Sequence, residues 1–173
     1  KEIIARLRNP DGGCPWDLEQ THESLKPFLL EECYEVIEAI DTNPDKLGDE
    51  LGDLLLQVFL HCQIASESGK FDLETVIKGV STKMVSRHPH VFGDVVAKTA
   101  AEVKENWERI KKKDLSSKES VLDSVPNPLP ALAKAHRMGE KAAALGFDWK
   151  QADDVKDKIK AVSYTHLTLP TNR

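Results

Sequence analysis

Two pairs of acidic residues occur with the same three-residue spacing in neighbouring parts of the chain: Glu32 with Glu35, and Glu50 with Asp53. On a helix, residues three positions apart lie on the same side, so each pair would present two carboxylates together. Carboxylates crowded in a partly buried place repel one another, and a proton or a cation relieves that repulsion. An all-oxygen set suits a hard divalent ion, Mg²⁺ first and Mn²⁺ second. The spacing therefore predicts a magnesium site, and hence phosphoryl or nucleotidyl chemistry.

A single acidic pair of this kind is more often the solvated flank of a helix than a site. Here the two segments share one pattern, in which an apolar helical face is bordered by the acids. The apolar positions are Leu29, Cys33, Val36, Ile37 and Ile40 in the first segment, and Leu51, Leu54, Leu55, Val58 and Cys62 in the second. Two antiparallel helices built in this way can bring four carboxylates to the edge of a shared core.

The elements that must position these acids are helices, and we predict an all-α fold. Apolar residues recur at helical spacing in several segments, and no run alternates between apolar and polar residues as a half-buried strand would. We expect helices over about 24–41, 45–69, 72–87, 99–113 and 132–145. Asp45 is expected to cap the second of these, and Asp72 with Thr75 to open the third. Cys14–Asp17 and His88–Gly93 are expected to be loops.

Composition excludes some classes of function. The chain has 173 residues, with 24 Lys and Arg against 29 Asp and Glu, a net charge of −5. An acidic balance argues against a nucleic-acid-binding surface, which is normally basic. No stretch approaches the roughly 18 consecutive apolar residues that a membrane span needs. Its three cysteines, Cys14, Cys33 and Cys62, show no CxxC spacing and predict reduced thiols in a cytoplasmic protein.

The composition changes after Lys113. Residues 114–130 are rich in Ser and Pro and are expected to form a linker, and a helix-forming unit follows over 131–161. Residues 162–173 contain no acidic residue, and we expect them not to continue the preceding helix. They are interpreted as an appended, non-native tail, with a native disordered end as the alternative. Because the chain begins at Lys1 rather than Met, we expect it to be a fragment.

Several motifs together carry a family resemblance. Glu31-Glu32-Cys33-Tyr34-Glu35 followed by Glu50-Leu51-Gly52-Asp53 resembles the EExxE and ExxD motifs of the MazG nucleoside triphosphate pyrophosphohydrolases. The similarity extends through Cys14–Asp17 and Arg87–Phe92, and covers residues 1–113. It implies a MazG-like helical bundle whose four-helix core is completed by dimerisation. The implied activity is Mg²⁺-dependent hydrolysis of nucleoside triphosphates to monophosphate and pyrophosphate, which would clear non-canonical or excess nucleotides.

The resemblance also implies roles for single residues. Glu32, Glu35, Glu50 and Asp53 fall on the metal-ligand positions of the family. Glu31 falls on the first motif glutamate, where it would act around the ligands or reach a second ion. Either Glu35 or Glu31 would be the general base that activates a water. The residues expected to contact the substrate are Lys46, Lys83, Arg87 and Trp107.

The resemblance leaves alternatives open. Gly146–Trp149 resembles the join between two tandem MazG domains, so we expect residues 131–161 to begin a truncated second domain. Close alternatives to a general NTP pyrophosphohydrolase are a dUTP/dCTP pyrophosphatase and a phosphoribosyl-ATP pyrophosphohydrolase. A different class is a catalytically weak module that binds nucleotide and dimerises. His61 lies on the same helix border as Glu50 and Asp53, and is either an additional ligand or a satisfied core or interface histidine.

Overall fold

The computed structural model describes residues 1–114, 120–149 and 151–168, and within these ranges the secondary structure is helical with no strand. This confirms the predicted all-α class. The chain divides into two compact units, Lys1–Ala97 and Lys98–Arg173. The residues described include no helix with both the length and the apolar character required to cross a bilayer.

The first unit is built from short and long helices. In chain order they are α1 (Glu2–Leu7), α2 (Pro15–Glu19), α3 (Lys26–Thr42), a 3₁₀ helix (Pro44–Lys46), α4 (Leu47–Glu67), α5 (Leu73–Arg87) and α6 (Pro89–Phe92). The two long helices, α3 and α4, pack against each other and are separated only by the 3₁₀ turn, so they form a helical hairpin. This hairpin carries all four acids of the predicted site.

The start of α4 differs from the prediction. Asp45 does not cap this helix, because it lies inside the 3₁₀ turn and the helix begins after Lys46 without a side-chain cap. Pro44 explains the difference: proline favours the first position of a helical turn, so the turn begins before Asp45 rather than at it.

The start of α5 is as predicted. Asp72 accepts a hydrogen bond from the Thr75 backbone N–H at 2.9 Å and another from the Thr75 hydroxyl at 2.8 Å. These bonds satisfy groups that a helix start otherwise leaves without an intrahelical partner. The same bonds, with the Lys1 ammonium, keep the pKa of Asp72 below its usual value.

Two segments expected to be loops contain short helices. Residues Pro15–Glu19 form α2 and Pro89–Phe92 form α6, and in both cases a proline stands at the start. Proline lacks a backbone N–H and has a fixed φ, so it interrupts one helix but suits the first turn of the next. The prediction of loops treated each proline only as a helix breaker and was wrong, because each proline also begins a new helical turn.

The core of the first unit is small and lies towards one end of the hairpin. Ile4, Leu25 and Leu60 are buried together, with Leu7, Phe59 and Ile64 packed around them. Much of the apolar face predicted for the hairpin is outside this core: Ile37, Ile40, Leu51 and Leu55 are each about half exposed. Two helices in contact cover only part of each other's apolar faces, so a further surface is needed to bury the rest.

The turn between α1 and α2 is closed tightly at Gly13. Its N–H donates to the Asn9 carbonyl at 2.9 Å, and the N–H of Cys14 donates to the Leu7 carbonyl at 2.8 Å. A Cβ at position 13 would lie 2.4 Å from the Asn9 carbonyl oxygen and 2.5 Å from that of Leu7. Both atoms are backbone, so they cannot swing aside, and only glycine fits here.

The second unit contains α7 (Ala100–Asp114), a 3₁₀ helix (Val121–Ser124), α8 (Ala131–Ala143) and α9 (Ala152–Thr168). The segment predicted as a linker lies partly outside the described residues, and its described part holds the 3₁₀ helix, capped by Ser120 and Asp123. Helix α9 continues through residues 162–168, so the expectation that this segment would not extend the preceding helix was wrong. Residues 169–173 lie outside the described ranges.

Candidate metal centre

Three carboxylates of the hairpin converge. Glu32 and Glu35 on α3 and Glu50 on α4 each offer an oxygen atom, and these oxygens lie within 4.8 Å of one another. The three-residue spacing places the first two on one side of α3, and the tight 3₁₀ turn folds α4 back so that Glu50 reaches them. Glu32 and Glu50 are partly buried, whereas Glu35 is exposed. We refer to these three residues as the acidic cluster.

The other two predicted acids stand beside the cluster. Asp53 is exposed and lies outside the 4.8 Å group, but its charge acts on Glu32. Glu31 is also exposed and also acts on Glu32, more weakly than Asp53 does. The structure therefore brings three of the four predicted ligands together and leaves Asp53 at the rim.

The electrostatics of the cluster centre on Glu32. Burial raises the pKa of its carboxyl above the usual 4.5, and the charges of Asp53, Glu35 and Glu31 raise it further. The side chain of Gln57 acts in the opposite direction. Glu32 thus holds its proton to a higher pH than an ordinary glutamate, which marks a place where positive charge is favoured.

Gln57 is a residue of the site that the sequence analysis missed. It lies on α4 and is only 5% exposed, and its side chain opposes the rise in the pKa of Glu32. Its carbonyl oxygen, Oε1, is buried without a hydrogen-bond partner. The available signal was its spacing, because Gln57 follows Asp53 by one helical turn and continues the border that carries Glu50 and Asp53.

The residues present fit a divalent cation. Mg²⁺ binds oxygen ligands at about 2.0–2.1 Å, so opposite ligands are separated by about 4.2 Å. The oxygens of the cluster lie within 4.8 Å of one another, and they would have to draw closer together to share one ion, because neighbouring ligands in an octahedron are about 3 Å apart. The donors are all carboxylates, which is the chemistry that Mg²⁺ or Mn²⁺ prefers.

The predicted substrate-contacting residues lie on separate elements. Lys46 ends the 3₁₀ turn and is exposed. Lys83 and Arg87 lie one turn apart on α5, with Lys83 exposed and Arg87 partly buried. Trp107 is partly buried on α7, in the second unit. Their roles towards a nucleotide stay predictions.

The histidine on the α4 border has a partner of its own. His61 Nδ1 lies 2.8 Å from His22 Nδ1, with the ring planes within 12° of each other. The centroids are 5.1 Å apart, which is the Nδ1–Nδ1 distance plus about one ring diameter, so the rings lie side by side and share a hydrogen bond. Burial and His22 lower the pKa of His61. His61 is therefore a structural partner of His22.

The chain is similar to known proteins over most of its described length. Residues 20–92, which include the acidic cluster and Gln57, match the MazG nucleotide pyrophosphohydrolase domain. A nucleoside triphosphate pyrophosphohydrolase/pyrophosphatase MazG of Thermotoga maritima is 50% identical over 160 residues, and a nucleoside triphosphate pyrophosphohydrolase of Escherichia coli K12 is 45% identical over 160 residues.

These alignments cover 91% of this chain but 61% of each relative. The chain is also 54% identical over 140 residues to the uncharacterized protein YabN of Bacillus subtilis, an alignment that covers 80% of this chain and 28% of that protein. The similarity is thus concentrated in one part of proteins that are longer than this chain.

Proposed function

We propose that this chain, which belongs to the MazG nucleotide pyrophosphohydrolase family, hydrolyses nucleoside triphosphates to the monophosphate and pyrophosphate with Mg²⁺ as cofactor. The observation that carries the proposal is the convergence of Glu32, Glu35 and Glu50 at the edge of the hairpin. The names of the relatives support the substrate class. The physiological role that we propose is removal of non-canonical or excess nucleotides.

The acidic cluster would hold the ion, with Asp53 completing the ligand set from the rim. Once bound, Mg²⁺ would supply positive charge against the triphosphate. The burial and crowding that raise the pKa of Glu32 favour any cation over an empty, fully ionised cluster. Mn²⁺ has the same ligand preference and is the expected substitute.

The chain's own residues would then serve a single displacement at the α-phosphorus. A water oxygen forms a bond to this phosphorus while the bond to the oxygen bridging to the β-phosphate breaks, and pyrophosphate leaves with that electron pair. Glu35 or Glu31 would accept the proton that the water loses, and both side chains are exposed. Lys46, Lys83 and Arg87 would neutralise the phosphates. Trp107 stays a predicted substrate contact.

We propose further that the active form is a homodimer. The half-exposed side chains of Ile37, Ile40, Leu51 and Leu55 form an apolar face on the hairpin that the first unit does not cover. A second hairpin packed on this face would give a four-helix core. This explains why two helices rich in apolar residues bury so few of them within one unit.

The test is pyrophosphate release from a panel of ribo- and deoxyribonucleoside triphosphates with and without Mg²⁺. Glu50→Gln should abolish release while leaving the helical circular dichroism unchanged, because it removes one carboxylate of the cluster. Glu38→Gln is the matched control: Glu38 is exposed, lies one turn beyond Glu35 on α3 and is outside the cluster, so its variant should keep wild-type turnover.

Two results would contradict the proposal. Turnover that survives Glu50→Gln would show that the acidic cluster does not hold the catalytic ion. Nucleotide binding without pyrophosphate release from any member of the panel would favour the binding and dimerisation module instead. Release confined to dUTP and dCTP, or to phosphoribosyl-ATP, would identify one of the narrower activities.

A further inference from the structure

Two aromatic side chains of the first unit, Trp16 and Phe28, contact each other at the protein surface. Their ring centroids are 5.6 Å apart and the ring planes meet at 79°, an edge-to-face arrangement. Trp16 is 49% exposed and Phe28 is 37% exposed. A tryptophan that serves packing alone is covered over most of its surface. The aromatic pair, as we call these two residues, therefore leaves an apolar area in contact with solvent.

The backbone around Trp16 is held in place while its ring stays half exposed. The buried Arg8 side chain donates to the backbone carbonyls of Asp17 and Gln20. Gln20 Nε2 in turn donates to the Trp16 carbonyl at 2.9 Å. These bonds fix α2, which carries Trp16. A ring that is positioned in advance loses little conformational entropy when a ligand stacks on it.

Phe28 lies on the same side of α3 as two carboxylates of the acidic cluster. Glu32 and Glu35 follow it by four and seven positions, a spacing that repeats one side of a helix. The rise of about 1.5 Å per residue places Phe28 about 6 Å from Glu32 along the helix axis. In a nucleoside triphosphate, one sugar separates the base from the α-phosphate. A nucleotide whose phosphates lie at the acidic cluster can therefore bring its base to the aromatic pair.

The aromatic pair is separate from the apolar face proposed for the dimer. Ile37 follows Phe28 by nine positions, which is two and a half helical turns, so these two residues lie on opposite sides of α3. A second hairpin packed on the side of Ile37 would not cover Phe28. The exposure of the pair is thus not explained by the proposed dimer.

We propose that Trp16 and Phe28 form the surface on which the base of the nucleotide stacks. This inference rests on the proposed hydrolysis of nucleoside triphosphates. Stacking uses the π-face that every base has, whereas hydrogen bonds to the edge of a base distinguish one base from another. A site of this kind binds purines and pyrimidines alike and tolerates bases whose edge is chemically altered. Removal of non-canonical nucleotides requires recognition of this kind.

The test measures how binding depends on the base, with Trp16→Leu and wild type compared in the full 173-residue chain. The probes, each with Mg²⁺, are α,β-methylene-ATP, α,β-methylene-CTP and inorganic triphosphate. The methylene group blocks cleavage of the two nucleotides, and inorganic triphosphate carries the charge without a base. Titration calorimetry should show affinity for both nucleotides reduced about tenfold, with affinity for inorganic triphosphate unchanged. Trp16→Phe keeps an aromatic ring and should restore most of the lost affinity.

Phe71→Leu is the matched control. Phe71 is an aromatic residue that is 41% exposed and follows the end of α4, whereas Glu50 of the acidic cluster lies in the first turn of that helix. Its variant should bind all three probes as wild type does. If Trp16→Leu does not fold, Phe28→Leu changes the other ring of the pair and should give the same selective loss.

The outcomes separate this inference from the proposed function. If wild type binds the two nucleotides and Trp16→Leu binds them equally well, the base site is wrong and the proposed function stands. An equal loss for inorganic triphosphate would also overturn the inference, because Trp16 would then act on the phosphates or on the fold. Conversion of a wild-type dimer to a monomer by Trp16→Leu would show instead that the pair contacts a second copy of the chain. If wild type binds none of the three probes, the proposed function fails and this inference fails with it.

Discussion

The Arg8 guanidinium donates hydrogen bonds to the Glu67 carboxylate through two of its nitrogens, with Nε 3.0 Å from Oε1 and Nη2 2.7 Å from Oε2. The third nitrogen donates to the backbone carbonyls of Asp17 and Gln20, the latter at 3.1 Å. A single buried side chain on the C-terminal side of α1 thus ties α2 and its following turn to the end of α4. Paired, planar donors of this kind are the strong form of a charged contact.

Arg8→Met should lower the free energy of unfolding by about 3 kcal/mol, because it leaves two buried carbonyls and a partly buried carboxylate without their donor. The measurement is urea unfolding followed by circular dichroism at pH 7. Arg6→Met, an exposed change on the same helix, is the control and should stay within about 0.5 kcal/mol of wild type. Equal effects from both variants would show that Arg8 is not a special anchor.

The ion pair between Arg8 and Glu67 should make the free energy of unfolding depend on pH. Hydrogen bonds from Arg8 lower the pKa of Glu67 from its usual 4.5, so the stabilisation is present above pH 4.5 and is lost as the pH falls through the lower folded value. The difference in unfolding free energy between wild type and Glu67→Gln should therefore be constant above pH 5 and shrink below pH 4.5. In an Arg8→Met background this pH dependence should disappear; if it persists, another group is responsible.

His61 should remain neutral at a lower pH than an ordinary histidine does. Burial and then His22 lower the pKa of His61 from 6.5, while Glu23 opposes them. A depressed folded pKa means that the contact stabilises the fold above pH 6.5 and that this stabilisation is lost as the pH falls towards the folded value. Titration of the imidazole signals by NMR should place His61 below 6.5, and His22→Asn should move it upward. A wild-type value above 6.5 would show that burial and His22 do not depress the pKa of His61.

If the protein is a homodimer, a charge placed on the apolar face of the α3–α4 hairpin should reduce the molecular mass measured in solution from that of a dimer to that of a monomer. Ile37→Glu and Leu55→Glu place a carboxylate at half-exposed apolar positions, and burying an unpaired charge at an interface is strongly unfavourable. Light scattering after size exclusion should show a dimer for wild type and monomers for both variants. Ile3→Glu, at a position that is 76% exposed on α1, is the control and should stay dimeric. A monomeric wild type would remove the dimer from the proposal.

The sequence was sufficient for the long helices because their signal is local. Regular recurrence of apolar residues over several turns predicts α3, α4 and α5. The start of α5 is predicted by Asp72, which caps the helix through Thr75, three residues later in the chain. Asp45 has the same local signature but lies inside a turn that Pro44 had already begun. A capping residue can thus be predicted from sequence only where no preceding residue, such as a proline, begins a helical turn before it.

The contacts that the sequence did not reveal join residues far apart in the chain. The contacts of His22 with His61 and of Arg8 with Glu67 each depend on how separate segments of the chain pack together. Periodicity assigns a residue to a helix face, but it does not fix the rotation or offset between two helices. The convergence of Glu32, Glu35 and Glu50 could be predicted from the sequence, because the short turn between α3 and α4 leaves little freedom in the offset between these two helices.

The turn at Gly13 has a consequence for how this sequence tolerates change. Residue 13 is only partly buried, so its exposure alone would suggest that it tolerates substitution. The carbonyl oxygens of Leu7 and Asn9 occupy the space where a side chain would begin, and even alanine would have to push the backbone of α1 aside. In a deep mutational scan, this position should therefore be depleted of every variant, while its neighbour Asp11 accepts many.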